Sequence, residues 1–241
     1  MKRKNIVCAV ALLVFGLVGC GAEEMSGSRN GDVVSAAEET AGKDQITTGT
    51  EKELSSGGSN ILIAYFSVPE DVETTDAVAG ASIVIRDNEK MGNTEYVAGL
   101  IQQTTGGDLF RIEAAEAYPA DHDPLIDQAA DEQDENKRPE LLNHVETIEQ
   151  YEIIILGYPN WWADLPMPVY TFLEEYDLGG KTIIPFVTHG GSGFSGTLNT
   201  IAELQPDAQV SENTLSLSRN SVADSEREVV LWAESLGLNA N

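Results

Sequence analysis

Cysteine is nearly absent from this 241-residue chain. Cys8 and Cys20 are the only two, so no framework of disulfides can stand in for a hydrophobic core. Positive charge is scarce as well: 14 Lys and Arg face 40 Asp and Glu, for a formal net charge of -26 at pH 7. That balance argues against nucleic acid as a partner and denies an anionic lipid surface any general electrostatic hold. Aromatic residues are only 7% of the chain, which makes the adjacent indoles Trp161 and Trp162 conspicuous. The one long apolar run lies near the N-terminus, over residues 6–18, and is too short to span a bilayer.

That run has a plan of its own. Lys2, Arg3 and Lys4 precede it, and Leu17, Val18, Gly19 and Cys20 close it, which is the three-part layout of a bacterial secretory leader. The last four residues resemble a lipobox, implying cleavage after residue 19 and lipidation of Cys20. Residues 20–59 are rich in Gly, Ser, Thr, Ala and Glu with almost nothing to bury, so they are expected to form a flexible tether. Loss of the leader removes three basic residues, and attachment to the membrane would then rest on acyl chains alone. The globular domain is expected over 60–241, long enough for a core of its own. Its acidity serves solubility, or steers a basic partner toward it.

From residue 60 onward short β-branched runs alternate with amphipathic stretches, the pattern of an α/β, three-layer, doubly wound parallel sheet. Five strands are expected, over 61–66, 108–112, 153–157, 182–187 and 214–217. The first is continuously apolar, as a central strand covered on both faces should be. Helices are expected over 95–104, closed by Gly106 and Gly107, then over 124–136, 167–176, 196–204 and 223–236. The acidic helix over 124–136 reads as a solvated surface. His122, with Asp121 and Asp123 beside it, does not read as a metal site, because three consecutive residues do not point to one centre and no second cluster exists. Trp232 falls on the apolar face of the last helix and is expected in the core.

Two segments carry chemistry. Gly157, Tyr158, Pro159, Asn160, Trp161 and Trp162 follow the third strand; Thr188, His189, Gly190, Gly191, Ser192 and Gly193 follow the fourth. Indoles grip a flat ring, and glycines let backbone amides approach it. Ligands of open parallel sheets bind beyond the carboxyl ends of the strands, so the two loops are expected to wall one pocket for a flavin. At its other end, Ser67 follows the first strand, and Gly92, Asn93 and Thr94 open a helix. Free first-turn N–H groups, the helix dipole and two hydroxyls suit a phosphate there. Such a cradle sits at the switch point of a sheet of order 2-1-3-4-5.

In the order of these motifs the chain resembles the flavodoxin-like family over essentially all of 60–238, and looks most like its lipoprotein branch. The resemblance implies noncovalent FMN, with Ser67, Gly92, Asn93 and Thr94 at the phosphate. Pro159, Asn160, Trp161 and Trp162 match the first isoalloxazine loop, with Trp162 the better stacking candidate, and Thr188 to Gly193 the second. His189 is a proton or hydrogen-bond donor there, or a turn residue facing solvent. The expected function is electron carriage on the outer face of a bacterial membrane, with a redox protein or small molecule as donor and acceptor. An FMN-dependent NAD(P)H quinone or nitro-compound reductase is the alternative enzyme; a flavin-free binding lipoprotein is the alternative outside redox chemistry. So acidic a domain is expected to lower the potential of a bound flavin, since the reduced ring is anionic.

The sequence departs from the family pattern twice. Residues 68–91 interrupt the phosphate loop, with an apolar stretch over 78–85 suited to a hairpin strand or a flap. Met91 stands where a hydroxyl residue is common, which removes one phosphate contact.

Overall fold

The computed structural model describes residues 59–69, 82–86 and 88–238. The expected leader over 1–19, Cys20 and all but the last residue of the expected tether lie outside the described residues. In chain order the elements are β1 (Ile61–Phe66), β2 (Ile83–Arg86), β3 (Glu89–Gly92), α1 (Asn93–Thr105), β4 (Asp108–Ile112), α2 (His122–Asp134), β5 (Ile153–Pro159), α3 (Met167–Glu175), β6 (Thr182–His189), α4 (Thr197–Leu204), β7 (Gln209–Val210), β8 (Leu215–Ser218) and α5 (Glu226–Ser235). Every expected strand and helix is present, with ends displaced by a few residues at most.

The main sheet runs β4-β1-β5-β6-β7, with β8 also paired to β6, and all its pairings are parallel. This is the order 2-1-3-4-5 with a fifth strand broken in two. β7 pairs with the start of β6, Gln209 opposite Thr182, and β8 with its end, Ser218 opposite His189.

Alternate side chains of a strand leave opposite faces, so β1 sends Ile61, Ile63 and Tyr65 to one core and Leu62, Ala64 and Phe66 to the other. Val97 and Ile101 of α1 and Val229 and Trp232 of α5 close the first core. Val169, Phe172 and Leu173 of α3 and Ile201 of α4 close the second. Two covered faces are why the central strands are apolar at nearly every position. The chain crosses to β4 on one side of β1 and then to β5 on the other, which opens a crevice above the carboxyl ends of β1 and β5.

The interruption of the phosphate loop contains a hairpin. β2 and β3 pair antiparallel, Ile83 opposite Gly92, with Asn88 in the left-handed region at φ 66°. Val84 is buried in the α1 face of the core, and the Arg86 guanidinium lies 5.6 Å from the Tyr96 ring centroid and donates to the Ala223 carbonyl. The hairpin is therefore fastened beside α1 as a structural annex, and among its described residues Ser82 at its base reaches the crevice. Residues 78–81 of the expected strand lie outside the described residues.

Gly157 of β5 lies opposite Phe186 of β6, and a Cβ at Gly157 would overlap the Phe186 ring. Overpacking of this kind costs about 1–3 kcal/mol. Gly157→Ala is expected to lower the urea-unfolding free energy by that amount, and Phe186→Leu in the same background to recover part of it.

Candidate functional site

The crevice is a cavity of about 340 Å³. The loop after β5 supplies one wall, with Pro159, Asn160, Trp161 and Trp162, and the loop after β6 supplies another, with Thr188, His189, Gly190 and Ser192. Asn93 lies at the cradle end, where a narrow side crevice of about 10 Å³ adds Ser67 and Thr94. The structure thus brings the expected residues to one place, although Gly92, Gly191 and Gly193 do not themselves line the cavity.

Register explains the meeting of the two loops. β5 and β6 pair until Pro159 faces Thr188, and the Asn160 N–H then donates to the Thr188 carbonyl at 2.8 Å. Asn160 Nδ2 continues the connection, donating to the Gly193 carbonyl at 2.7 Å and to Ser195 Oγ at 3.1 Å. Its Oδ1 is buried with no hydrogen-bond partner among the described residues.

The two indoles have different duties. Trp161 packs edge-on against Phe66 and Tyr118, with ring centroids 5.2 and 5.5 Å away, and so roots the loop in the core. Trp162 is 56% exposed at the rim, with Nε1 donating to the Ile126 carbonyl of α2 at 3.1 Å. Trp161 and Asp164 exchange two backbone hydrogen bonds of 3.1 and 2.9 Å around a two-residue turn. Trp162 and Ala163 both take positive φ there, 50° and 65°. Such conformations cost about 1–3 kcal/mol each for non-glycine residues, so the loop carries strain at the point where it presents an aromatic face.

In the other loop His189 Nδ1 accepts the Gly191 N–H at 2.9 Å, which leaves the imidazole proton on Nε2. Gly191 has φ 129°, a region that side chains avoid, so this amide is turned back by a bend only glycine makes easily. Burial holds the His189 pKa below the usual 6.5, so the ring is neutral at neutral pH and serves as an Nε2–H donor.

The cradle is assembled despite its interruption. A Cβ at Gly92 would overlap Ser67 Oγ, so the two ends of the split segment touch. Thr94 Oγ1 shares a 2.9 Å hydrogen bond with Thr188 Oγ1, joining cradle to glycine loop. Two first-turn donors are already occupied: the Gly92 N–H by Glu95 Oε2 at 3.1 Å and the Asn93 N–H by the Ser82 carbonyl at 2.8 Å. The Asn93 side chain is 2% exposed, and neither its Nδ2 nor its Oδ1 has a partner among the described residues. A buried amide left without partners costs free energy unless something fills its hydrogen bonds, which makes Asn93 a candidate ligand contact. The donors suit a phosphate, and the narrow crevice must widen to admit one.

Parts of the site lay outside the expected set. Leu125, Ile126 and Ala129 on α2 close the cavity, as do His122 at its start and Arg219 just after β8. The helix read as a solvated acidic surface thus has a second, apolar face on the site. The wall carries His122, His189 and Arg219 but no carboxylate among the described residues, so the expectation of an acidic environment for the ligand fails locally. The acidity belongs to the outer surface.

A family model described as flavodoxin matches residues 82–236. Among solved structures, the chain is similar to a candidate flavoprotein of Bacteroides eggerthii, with 26% identity, 76% of this chain and 100% of that chain covered, and a TM-score of 0.56. A candidate flavoprotein of Bacteroides uniformis is 26% identical, with 70% of this chain and 99% of that chain covered and a TM-score of 0.51. A flavoprotein of Lactobacillus acidophilus in complex with FMN is 19% identical, with 70% and 99% covered and a TM-score of 0.48. No curated protein matches.

Because the folded pKa of His189 is depressed, the neutral ring's contribution to stability is complete above pH 6.5 and is lost as pH falls through the lower folded value. NMR titration is expected to give a His189 midpoint below 6.5, with the Gly191 amide shift following the same curve.

Proposed function

Because this chain belongs to the flavodoxin family, as the match over residues 82–236 establishes, we propose that it binds one FMN in this cavity and carries electrons at the outer face of a bacterial membrane, held there by lipid on Cys20. The observation that carries the cofactor reading is the buried, unpartnered Asn93 side chain at the cradle, opposite two loops that meet over a cavity of about 340 Å³. Asn93, Thr94 and Ser67 would hold the phosphate. Trp162 offers an aromatic face, and Asn160 Oδ1 and the His189 Nε2–H offer an acceptor and a donor to the polar edge of the ring.

When bound, FMN supplies reversible one- and two-electron chemistry. The protein's share is to hold the ring and limit water. Trp161, fixed against Phe66 and Tyr118, positions the loop, and the apolar side chains of α2 exclude solvent from the far side. Neutral His189 donates without adding charge. Membrane anchoring rests on the leader and lipobox pattern that ends at Cys20. Electron carriage rests on the family.

Titration of the purified chain with FMN is expected to quench flavin fluorescence at one equivalent and leave a protein with flavin absorption. Loss of one hydrogen bond to a charged group is worth about 1.5–3 kcal/mol, so Asn93→Ala is expected to weaken FMN binding by about ten- to a hundredfold. A protein that cannot be loaded defeats the cofactor reading, and rapid steady oxidation of NADH or NADPH by the loaded protein replaces the carrier with a reductase. Separately, expression of Cys20→Ala in a bacterial host is expected to move the protein out of the membrane fraction; unchanged partition would defeat the lipid anchor.

A further inference from the structure

The cradle's two halves are separated by 24 residues of chain, and one side chain on β4 reaches both. Arg111 Nη2 donates to the Ser67 carbonyl at 3.3 Å, and Nη1 lies 3.9 Å from Glu95 Oε1. Glu95 Oε2 in turn accepts the Gly92 N–H at 3.1 Å. Arg111 therefore holds the Ser67 end directly and the Gly92 end through Glu95. Its remaining nitrogen, Nε, lies 3.8 Å from Glu113 Oε1 and makes no hydrogen bond among the described residues.

Stability alone explains this arrangement poorly. The Arg111 and Glu95 side chains are 34% and 29% exposed, and ion pairs that share solvent contribute little. Glu95 also occupies the first turn of α1, the same positive helix end that a phosphate would use. Two anions at one helix end repel each other, and a cation beside the first offsets that repulsion. The hydroxyl of the buried neighbour Tyr65 is pushed up to about 12 by burial first and by the Glu95 charge second, with Arg111 acting in the opposite direction.

We infer that Arg111 is a positioning residue that joins the split cradle and offsets the charge of Glu95, and so makes the site select a phosphorylated flavin over an unphosphorylated one. The inference rests on the cofactor reading above. It concerns residues behind the cradle, because the guanidinium contacts the loop carbonyl and a carboxylate rather than the cavity wall.

Fluorescence titration of the full chain with FMN and with riboflavin tests it. Riboflavin lacks the phosphate and reports the integrity of the ring site. Arg111→Gln is expected to raise the FMN dissociation constant about tenfold or more while that for riboflavin changes less than about twofold. Glu95→Gln added to Arg111→Gln is expected to recover most of the FMN affinity, and Arg111→Lys, which keeps the charge but not the fork, to fall between wild type and Arg111→Gln. Equal losses for both flavins would reduce Arg111 to a structural role, and an unchanged FMN affinity would remove it from the cradle; either overturns the inference while leaving the cofactor reading intact. Wild-type protein that binds neither flavin would defeat both.

Discussion

The hydrogen bond from the Asn160 N–H to the Thr188 carbonyl carries the β5–β6 ladder one residue past the end of β5, and the cavity depends on it. Without that bond the loops after β5 and β6 would be independent segments. With it, and with Asn160 Nδ2 on the Gly193 carbonyl, they become one wall. Thr188 lies opposite Pro159 and also shares its hydroxyl with Thr94, so the same residue ties the ring end of the site to the cradle end. Three loops converge because one strand pairing fixes the relative height of two of them and one buried hydroxyl pair fixes the third. Polar groups in so closed a place hold a single geometry when satisfied.

The sheet was legible in the sequence because its strands are buried on both faces, and continuous β-branched runs between amphipathic stretches have few other solutions. The two loops were legible for a related reason: they are the residues directly beyond those runs, and chemistry in this architecture collects there. What escaped reading came from elements whose role is set by tertiary neighbours. Leu125, Ile126 and Ala129 were visible as apolar residues on an acidic helix, but nothing local says whether such a face meets a sheet or a cavity. Arg219 follows the broken fifth strand, whose weak pattern hid its register against β6, and with it the fact that its guanidinium lies beside Gly190. The division of labour between Trp161 and Trp162 was open for the same reason. It is decided by Tyr118, which is 43 residues distant from Trp161 in the chain and 5.5 Å distant in space.

The interruption after Ser67 illustrates how a binding loop tolerates an insertion. Loop-closure entropy rises only slowly with length, so the cost of 24 extra residues is modest if the ends stay in register. Here the ends are held by contacts that do not involve the inserted chain: Ser67 against Gly92, and Arg111 reaching Ser67 and Glu95 from β4. The hairpin contributes one bond of its own, from the Asn93 N–H to the Ser82 carbonyl, and that bond occupies a helix-end donor that an uninterrupted loop would leave to the ligand. The side-chain amide of Asn93 is then the group left to compensate.

Charge separates the readings of function more sharply than shape does. The chain carries a formal charge of -26, yet the described cavity wall bears two histidines, an arginine and no carboxylate. The distant field and the local field therefore act on different partners. A nicotinamide dinucleotide is itself anionic and would approach against the distant field, whereas a basic protein would approach with it. Once a flavin were seated, the local field would govern its reduced form, and Arg219 would favour the anion that the outer surface alone would disfavour. Screening at about 8 Å in physiological salt keeps the two effects apart. On the carrier reading this is a consistent design: an acidic exterior that selects the partner, and a ring site whose potential is set by the few residues that touch it.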